Sequence, residues 1–274
     1  MPLLAREFIQ SFDSPDLVPY RTMRQQRDTR SQRVFVAEGD KVVERLLVSQ
    51  TQVVSVLLPV DREAEFAPLI AARPEPIHLF VAEFATLEQL TGFNLYQGVL
   101  AVGRVPDSCD LAGLLRQTAP PRLLVAADGL SNADNLGGLI RNAVAFGAQG
   151  LVLGETSIHP YMRRSVRISM GTIFKLPVLE SSCLADALRA LRDAGVRCVA
   201  AHPHAAMLLS AASLLGDCCL VFGSEGRGLR PEVLAACDEA VAVPMANDVD
   251  SLNVMNASAV FLYEAARQRA AARG

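Results

Sequence analysis

No stretch of the chain approaches about 18 consecutive uncharged apolar residues, the length a helix needs to cross a bilayer. The opening MPLLAREFIQSFDSPD breaks its apolar run with Arg6, Glu7 and Asp13, so neither a span nor a secretory leader is expected, and a soluble cytoplasmic protein is. No CxxC pair occurs among the six cysteines (109, 183, 198, 218, 219 and 237). Most sit in apolar runs such as GDCCLVFG and read as reduced core residues rather than a disulfide frame or zinc site. Neither GxGxxG nor GxxxxGK followed by Ser or Thr is present, which removes the strongest sequence support for a phosphate-cradling cofactor, and GxSxG is missing too. His202 and His204 in AHPHAAM have no Cys or carboxylate at ligand-like spacing beside them. The proline between them makes an extended segment, so no metal is expected. Positive charge is also short: 26 Lys and Arg against 29 Asp and Glu leave a net charge of −3. Any nucleic-acid contact therefore has to be local.

What the chain does have is apolar material in short runs. Of its 274 residues 51% are hydrophobic, ample for burial, and the length exceeds the usual single domain, so two are expected. From Val34 onward RVFVAEG, DKVVERLLVS, VVSVLL, DREAEFAPLIAA, IHLFVA, EFATLEQL and QGVLAVG alternate strand-like and helix-like periodicity, a small α/β unit ending near residue 105. Residues 106–121, closing in a double proline, read as a linker. From 122 to 274 a second alternation runs through LLVAA, a helix in NADNLGGLIRNAVAFGA, GLVLG, IFKLPVLE, a helix from Leu184 to Ala194, VRCVAAH, CCLVFG, a helix after Pro231, EAVAVPM and a terminal helix. Strands that are apolar throughout and followed by helices predict a buried parallel sheet. Such sheets bind ligands beyond the carboxyl ends of their strands, which directs attention to three unusual loops: DGLSNADNLGG, GSEGRGL and ANDVDSLN.

In the first loop Asn135 is placed to cap a helix beginning near Leu136, with Leu136, Ile140 and Val144 in one buried stripe. Arg141 lies off that stripe and leans back over Gly137 and Gly138 toward the loop; the alternative is a solvent-facing arginine. In the second, three glycines in six residues bring backbone close to a ligand and present Glu225, unless the segment is merely a flexible turn. In the third, Ser251 is placed to cap the terminal helix and Asn253 to bond backbone or ligand. Two basic clusters stand out. Arg21, Arg24, Arg27, Arg30 and Arg33 recur every third residue, giving one flank of a helix with a single acid, Asp28. HPYMRRSVR puts Arg163, Arg164 and Arg167 beside His159 and Tyr161, the mixture of cations and aromatics that suits RNA. Each cluster has a solvated face as its alternative.

In their order and spacing, the three loops closely resemble the three motifs of the SPOUT superfamily, in its TrmH/SpoU branch of RNA ribose 2′-O-methyltransferases. NLGGLIRNAVAFGA matches the first motif with Asn135 and Arg141 in register, GSEGRGL with the following P and CD the second, and SLNV with the helix ending LYEAARQR the third. SMGTIFKLPV is similar to the segment between motifs. The N-terminal unit, with VAEGDKVVERLL and YQGVLAVG, is similar to the small L30e-like α/β RNA-binding domain that often precedes the catalytic one. The resemblance implies a SPOUT domain whose C-terminal sheet is threaded as a deep trefoil knot, an exception to the rule against knotted chains. It implies S-adenosylmethionine bent in that knot and held by Gly223, Val243 and Leu252, a site formed across a homodimer, and RNA, ribosomal or transfer, as substrate. Arg141 would help activate the ribose hydroxyl while Asn135, Glu225, Ser251 and Asn253 order the site. Two residues depart from the pattern: Ala133, where the family commonly has proline, and Met255, where it commonly has serine. The implied chemistry needs deprotonation of a poor nucleophile and in-line positioning, not a metal. A catalytically silent RNA-binding protein of this fold, a base methyltransferase and a metabolic α/β enzyme remain open, and cofactor binding and product analysis separate them.

Overall fold

Unbroken apolar runs become strands in both halves of the chain. The structure, a computed structural model, describes residues 3–24, 33–92, 94–95 and 97–273. Contacts divide it into two units: Met1–Asp107 with Pro160–Phe174, and Ser108–His159 with Lys175–Gly274.

In the first unit β1 (Leu3–Phe8), β2 (Val34–Glu38), β3 (Val53–Pro59), β4 (Ile77–Ala82) and β5 (Leu100–Arg104) form a mixed sheet of order β1-β4-β3-β5-β2. β1, β4 and β3 run parallel, while β5 is antiparallel to both β3 and β2. Helices α1 (Asp40–Leu47), α2 (Glu63–Ala71) and α3 (Phe84–Thr91) alternate with these strands. α1 buries Val42, Val43, Leu46 and Leu47, the i, i+4 pairs that a 3.6-residue period puts on one face. The aromatic rings of Tyr161 and Phe174 lie 5.0 and 5.5 Å from that of Phe35. Gly103 leaves room for this stack, since a Cβ there would come within 2.8 Å of the Phe35 ring edge. The helix expected across the arginine repeat is short in its described part: Val18–Arg21 is helical and Thr22–Arg24 turns away. Arg27 and Arg30 lie outside the described residues. Arg33 stands in a turn with φ 54°.

The second unit contains β6 (Leu123–Ala127), β7 (Gly150–Leu153), β8 (Val178–Glu180), β9 (Arg197–Ala201), β10 (Met207–Leu208), β11 (Cys218–Phe222) and β12 (Glu239–Ala242). Every pairing is parallel, in the order β10-β12-β9-β11-β6-β7-β8, as continuous apolar strands predict. β6 and β11, side by side near the centre, are buried at every residue. Of the expected strand IFKLPVLE only Val178–Glu180 is extended, because Thr172–Lys175 coils into a 3-10 turn ahead of Pro177. Helix α4 (Leu111–Gln117) lies within the stretch read as a linker, capped by Asp110, which accepts the Gly113 amide at 2.6 Å. Its Leu114 joins the core with Leu184, Leu188 and Leu191 of helix α6 (Leu184–Asp193); each such buried leucine contributes about 1.5–3 kcal/mol relative to exposure. Helices α5 (Ala133–Ala145), α7 (Pro231–Ala235) and α8 (Val254–Ala271) complete the unit. α8 is fastened near its C-terminus by the buried Arg269, whose guanidinium donates to the carbonyls of Pro121, Arg122, Leu214 and Gly216 at 2.6–3.1 Å.

Candidate active site

The polar turn ahead of α5 starts the helix one turn earlier than the apolar stripe suggests. The cap is Asn132, not Asn135: its Oδ1 accepts the Asp134 amide at 2.8 Å, and α5 begins at Ala133. Asn135 is thereby drawn into the first helical turn and buried. Leu136 and Ile140 are fully buried, as are Leu139 and Ala143, whereas Val144 is half-buried. Arg141 opens the exposed side of the helix. Among the described residues no side-chain hydrogen bond or ion pair holds its guanidinium.

β11 delivers the glycine loop at the next strand end. Ser224 and Gly228 exchange backbone hydrogen bonds of 3.0 and 2.9 Å, closing a tight turn that presents Glu225 at its tip. Gly223 lies against the returning strand of that turn, and a Cβ on it would overlap the Gly228 carbonyl and the Leu229 nitrogen. Just beyond, Arg230 braces three strand-end loops together. Its backbone amide and Nε each donate to the buried Asp128 carboxylate at 2.8 Å, and Nη1 donates to Glu155 at 2.5 Å. This guanidinium holds the Glu155 carboxyl below its usual range, as a hydrogen-bonded cation does.

Asn253, not Ser251, caps α8, its Oδ1 accepting the Met255 amide at 2.8 Å. That bond fixes which way the amide points. Its Nδ2 then donates both hydrogens, one to Asn135 Oδ1 at 3.1 Å and one to Glu225 Oε1. One residue from each of the three loops therefore meets at a single amide. Beside it lies a cavity of about 380 Å³. Gly223, Val243 and Leu252 are on its wall, and Glu225 and Ser251 line it as well. Among the described residues neither Arg141 nor Ser251 hydrogen-bonds to the Asn135–Asn253–Glu225 set, although Ser251 shares the cavity with Glu225.

A fourth strand end also reaches this cavity. His202 and His204, on the loop after β9, also line the cavity, and the His204 amide donates to His202 Nδ1 at 3.2 Å. The rule that pointed to the other loops applied equally to this one. Asp128 was also legible as a lone carboxylate closing an apolar strand. Among the described residues no group of three or more His, Cys, Asp or Glu has the makings of a metal site.

The basic clusters are more engaged than their sequence implies. Arg163 pairs with Glu38, and Arg167 reaches the same carboxylate at 3.1 Å, while Arg164 shares their short helix, Arg163–Ile168. Tyr161 is not presented to solvent: it is buried against Phe35, so the expected interleaving of cations with an open aromatic is absent at this position. His159 lies 3.4 Å from Glu180. In the N-terminal cluster Arg21 and Arg24 are exposed, and Arg33 pairs with Asp107.

Residues 122–263 match the SpoU rRNA Methylase family. A 23S rRNA (guanosine-2′-O-)-methyltransferase of Burkholderia is 35% identical over 192 residues, 70% of this chain and 78% of the relative. A crystal structure of an RNA 2′-O ribose methyltransferase superposes with a TM-score of 0.77 at 28% identity, covering 97% of this chain and all of that one. An AdoMet-bound rRNA methyltransferase from Sinorhizobium meliloti superposes at 0.81 with 25% identity, covering 96% and 98%.

Proposed function

This chain belongs to the SpoU rRNA Methylase family, and from that premise we propose that it transfers a methyl group from S-adenosylmethionine to a ribose 2′-hydroxyl of ribosomal RNA. The observation that carries the reading is the convergence of Asn135, Glu225 and Asn253 beside a cavity of ligand size.

The cavity fits the cofactor on its own terms. Its volume of about 380 Å³ lies within the range of small-molecule sites, roughly 300–1,000 Å³. Val243 and Leu252 give it apolar wall, the Ser224–Gly228 turn gives it backbone, and the carboxylates of Glu225 and Asp250 suit a cationic ligand. Gly223, Val243 and Leu252 hold the cofactor in this reading. When bound, S-adenosylmethionine supplies an electrophilic methyl on a sulfonium that already carries its leaving group. The remaining work is positioning. Asn253 keeps Glu225 and Asn135 at fixed places, Ser251 contributes a hydroxyl at the cavity, and Arg141, free in its own helix, engages the RNA phosphate and ribose. A guanidinium stays protonated across the neutral range and does not serve as the base; it orients the hydroxyl and gathers negative charge.

The finer features of the family reading form part of the same proposal: an RNA-binding domain over 1–105, a methyltransferase domain over 122–274, a deep trefoil knot, a homodimer and a cytoplasmic setting. Leu252, Met255, Val260 and Tyr263 all expose apolar surface at or along α8, the kind of patch that a second copy covers. Among the described residues no helix is long and apolar enough to cross a membrane. RNA engagement by the N-terminal unit has its own test: replacing Arg21, Arg27 and Arg30 with Ala should weaken RNA binding and flatten the log–log salt dependence by about two to three. Cofactor affinity should stay constant. An unchanged slope would return those arginines to a solvated surface.

The function itself is tested by mapping 2′-O-methylation across total RNA from cells with and without the protein. One ribosomal ribose that loses its methyl in the deletion and regains it on complementation is the expected result. A lost base methyl instead, or no difference at any ribose, would refute the assignment.

A further inference from the structure

Gly138 and Asn142 are four residues apart on α5 and so share a face. Both are engaged by the first turn of α8. Met255 packs into the gap at Gly138, where an added Cβ would overlap its side chain and stand 3.2 Å from its Cβ. The Asn142 Nδ2 donates to the Met255 carbonyl at 2.7 Å and to the Ser258 hydroxyl at 3.0 Å, and that hydroxyl itself donates to the Met255 carbonyl at 2.7 Å. Ser258 is fully buried. Met255 is also the residue whose amide orients Asn253. A chain of contacts therefore runs from Asn142 through the backbone of Met255 to Asn253, and on to Asn135 and Glu225. Arg269 fastens the far end of α8, while Asn142 and the Met255 side chain in the Gly138 gap hold its near end against α5.

We propose that Asn142 is a positioning residue for methyl transfer: it latches the first turn of α8 onto α5 and so fixes the Asn253 amide on which the three loops converge. The inference rests on the methyltransferase reading above. Asn142 faces α8, so it does not touch substrate in this role. Its effect travels through Met255, and a displacement near 1 Å at reacting groups costs on the order of a hundredfold in rate.

Two variants of the full chain separate the latch from mere packing. Asn142→Leu keeps the branched shape of the side chain but removes the donor, whereas Asn142→Gln keeps the amide on a longer stem. Steady-state kinetics on 23S rRNA transcribed in vitro should show kcat lowered about tenfold or more in Asn142→Leu, with KM for S-adenosylmethionine and the calorimetric Kd for S-adenosylhomocysteine within about twofold of the parent. Asn142→Gln should recover most of that loss. Hydrogen–deuterium exchange should quicken in residues 253–258 of Asn142→Leu and not elsewhere. Equal kcat losses in the two variants, a kcat within twofold of the parent in Asn142→Leu, or unchanged exchange at 253–258 would overturn the proposal. A parent protein that binds no cofactor and leaves the transcript unmethylated would strike the methyltransferase reading instead, and the exchange measurement would still decide the latch.

Discussion

Arg141→Ala is expected to leave the fold and S-adenosylmethionine affinity close to those of the parent while methyl transfer falls at least about a hundredfold, within the range of about 10²- to 10³-fold for loss of one positioned charge-stabilising donor. The fold is insensitive because α5 is buried through Leu136, Leu139, Ile140 and Ala143, and Arg141 contributes to none of that packing. Exposed substitutions away from special features usually stay within about 0.5 kcal/mol. Function is sensitive because Arg141 is a cation with no partner among the described residues, on the helix that also carries Asn135. Arg141→Lys should rescue little, since a compact ammonium does not reproduce a planar fork able to hold phosphate and hydroxyl together. Single-turnover methyl transfer at saturating RNA and cofactor, with thermal melting as the folding control, measures this. A folded Arg141→Ala protein running within a few-fold of the parent would end the assignment.

Gly223→Ala should weaken cofactor binding through a different cause. The new methyl meets backbone atoms of Gly228 and Leu229, which have no rotamer by which to move aside. The turn must open its Ser224–Gly228 bonds, shifting Glu225 and the cavity wall together. Overpacking of this kind costs about 1–3 kcal/mol, equivalent to about 5- to 150-fold in affinity where binding has to restore the parental turn. Gly226, three residues on, has no neighbour within 4 Å of a Cβ, so Gly226→Ala is the matched control and should bind normally. Calorimetry with S-adenosylmethionine compares the two. Equal affinities would show that the Gly223 approach does not shape the site.

How far such features can be read in advance depends on whether their cause is local. The parallel sheet is legible because Leu123–Ala127 and Cys218–Phe222 carry no charged or amide side chain, which only burial on both faces explains. The three loops are legible as strand-end loops of that sheet, and Asn135, Glu225 and Asn253 as their polar residues. The caps are not, since Asn132 and Asn135 both satisfy the chemistry, as do Ser251 and Asn253. Which one wins depends on where the preceding strand releases the chain. Tyr161 looks like an open stacking platform until Phe35, far away in sequence, covers it. Asn142 reads as one more polar residue in a helix, because its partners Met255 and Ser258 lie more than a hundred residues downstream.

A sheet whose seven strands all run the same way contains no hairpin from which to begin. Its centre is closed by β11 settling beside β6, and Arg122 and Asp217, which tie those two strand starts together, are 95 residues apart. Contacts at that separation form slowly. During synthesis β6, α5 and β7 must therefore wait with one flank open until β11 has left the ribosome. The glycine turn follows β11, and the cavity needs Val243 and Leu252 from further downstream still, so the ability to hold a cofactor is among the last properties this chain acquires.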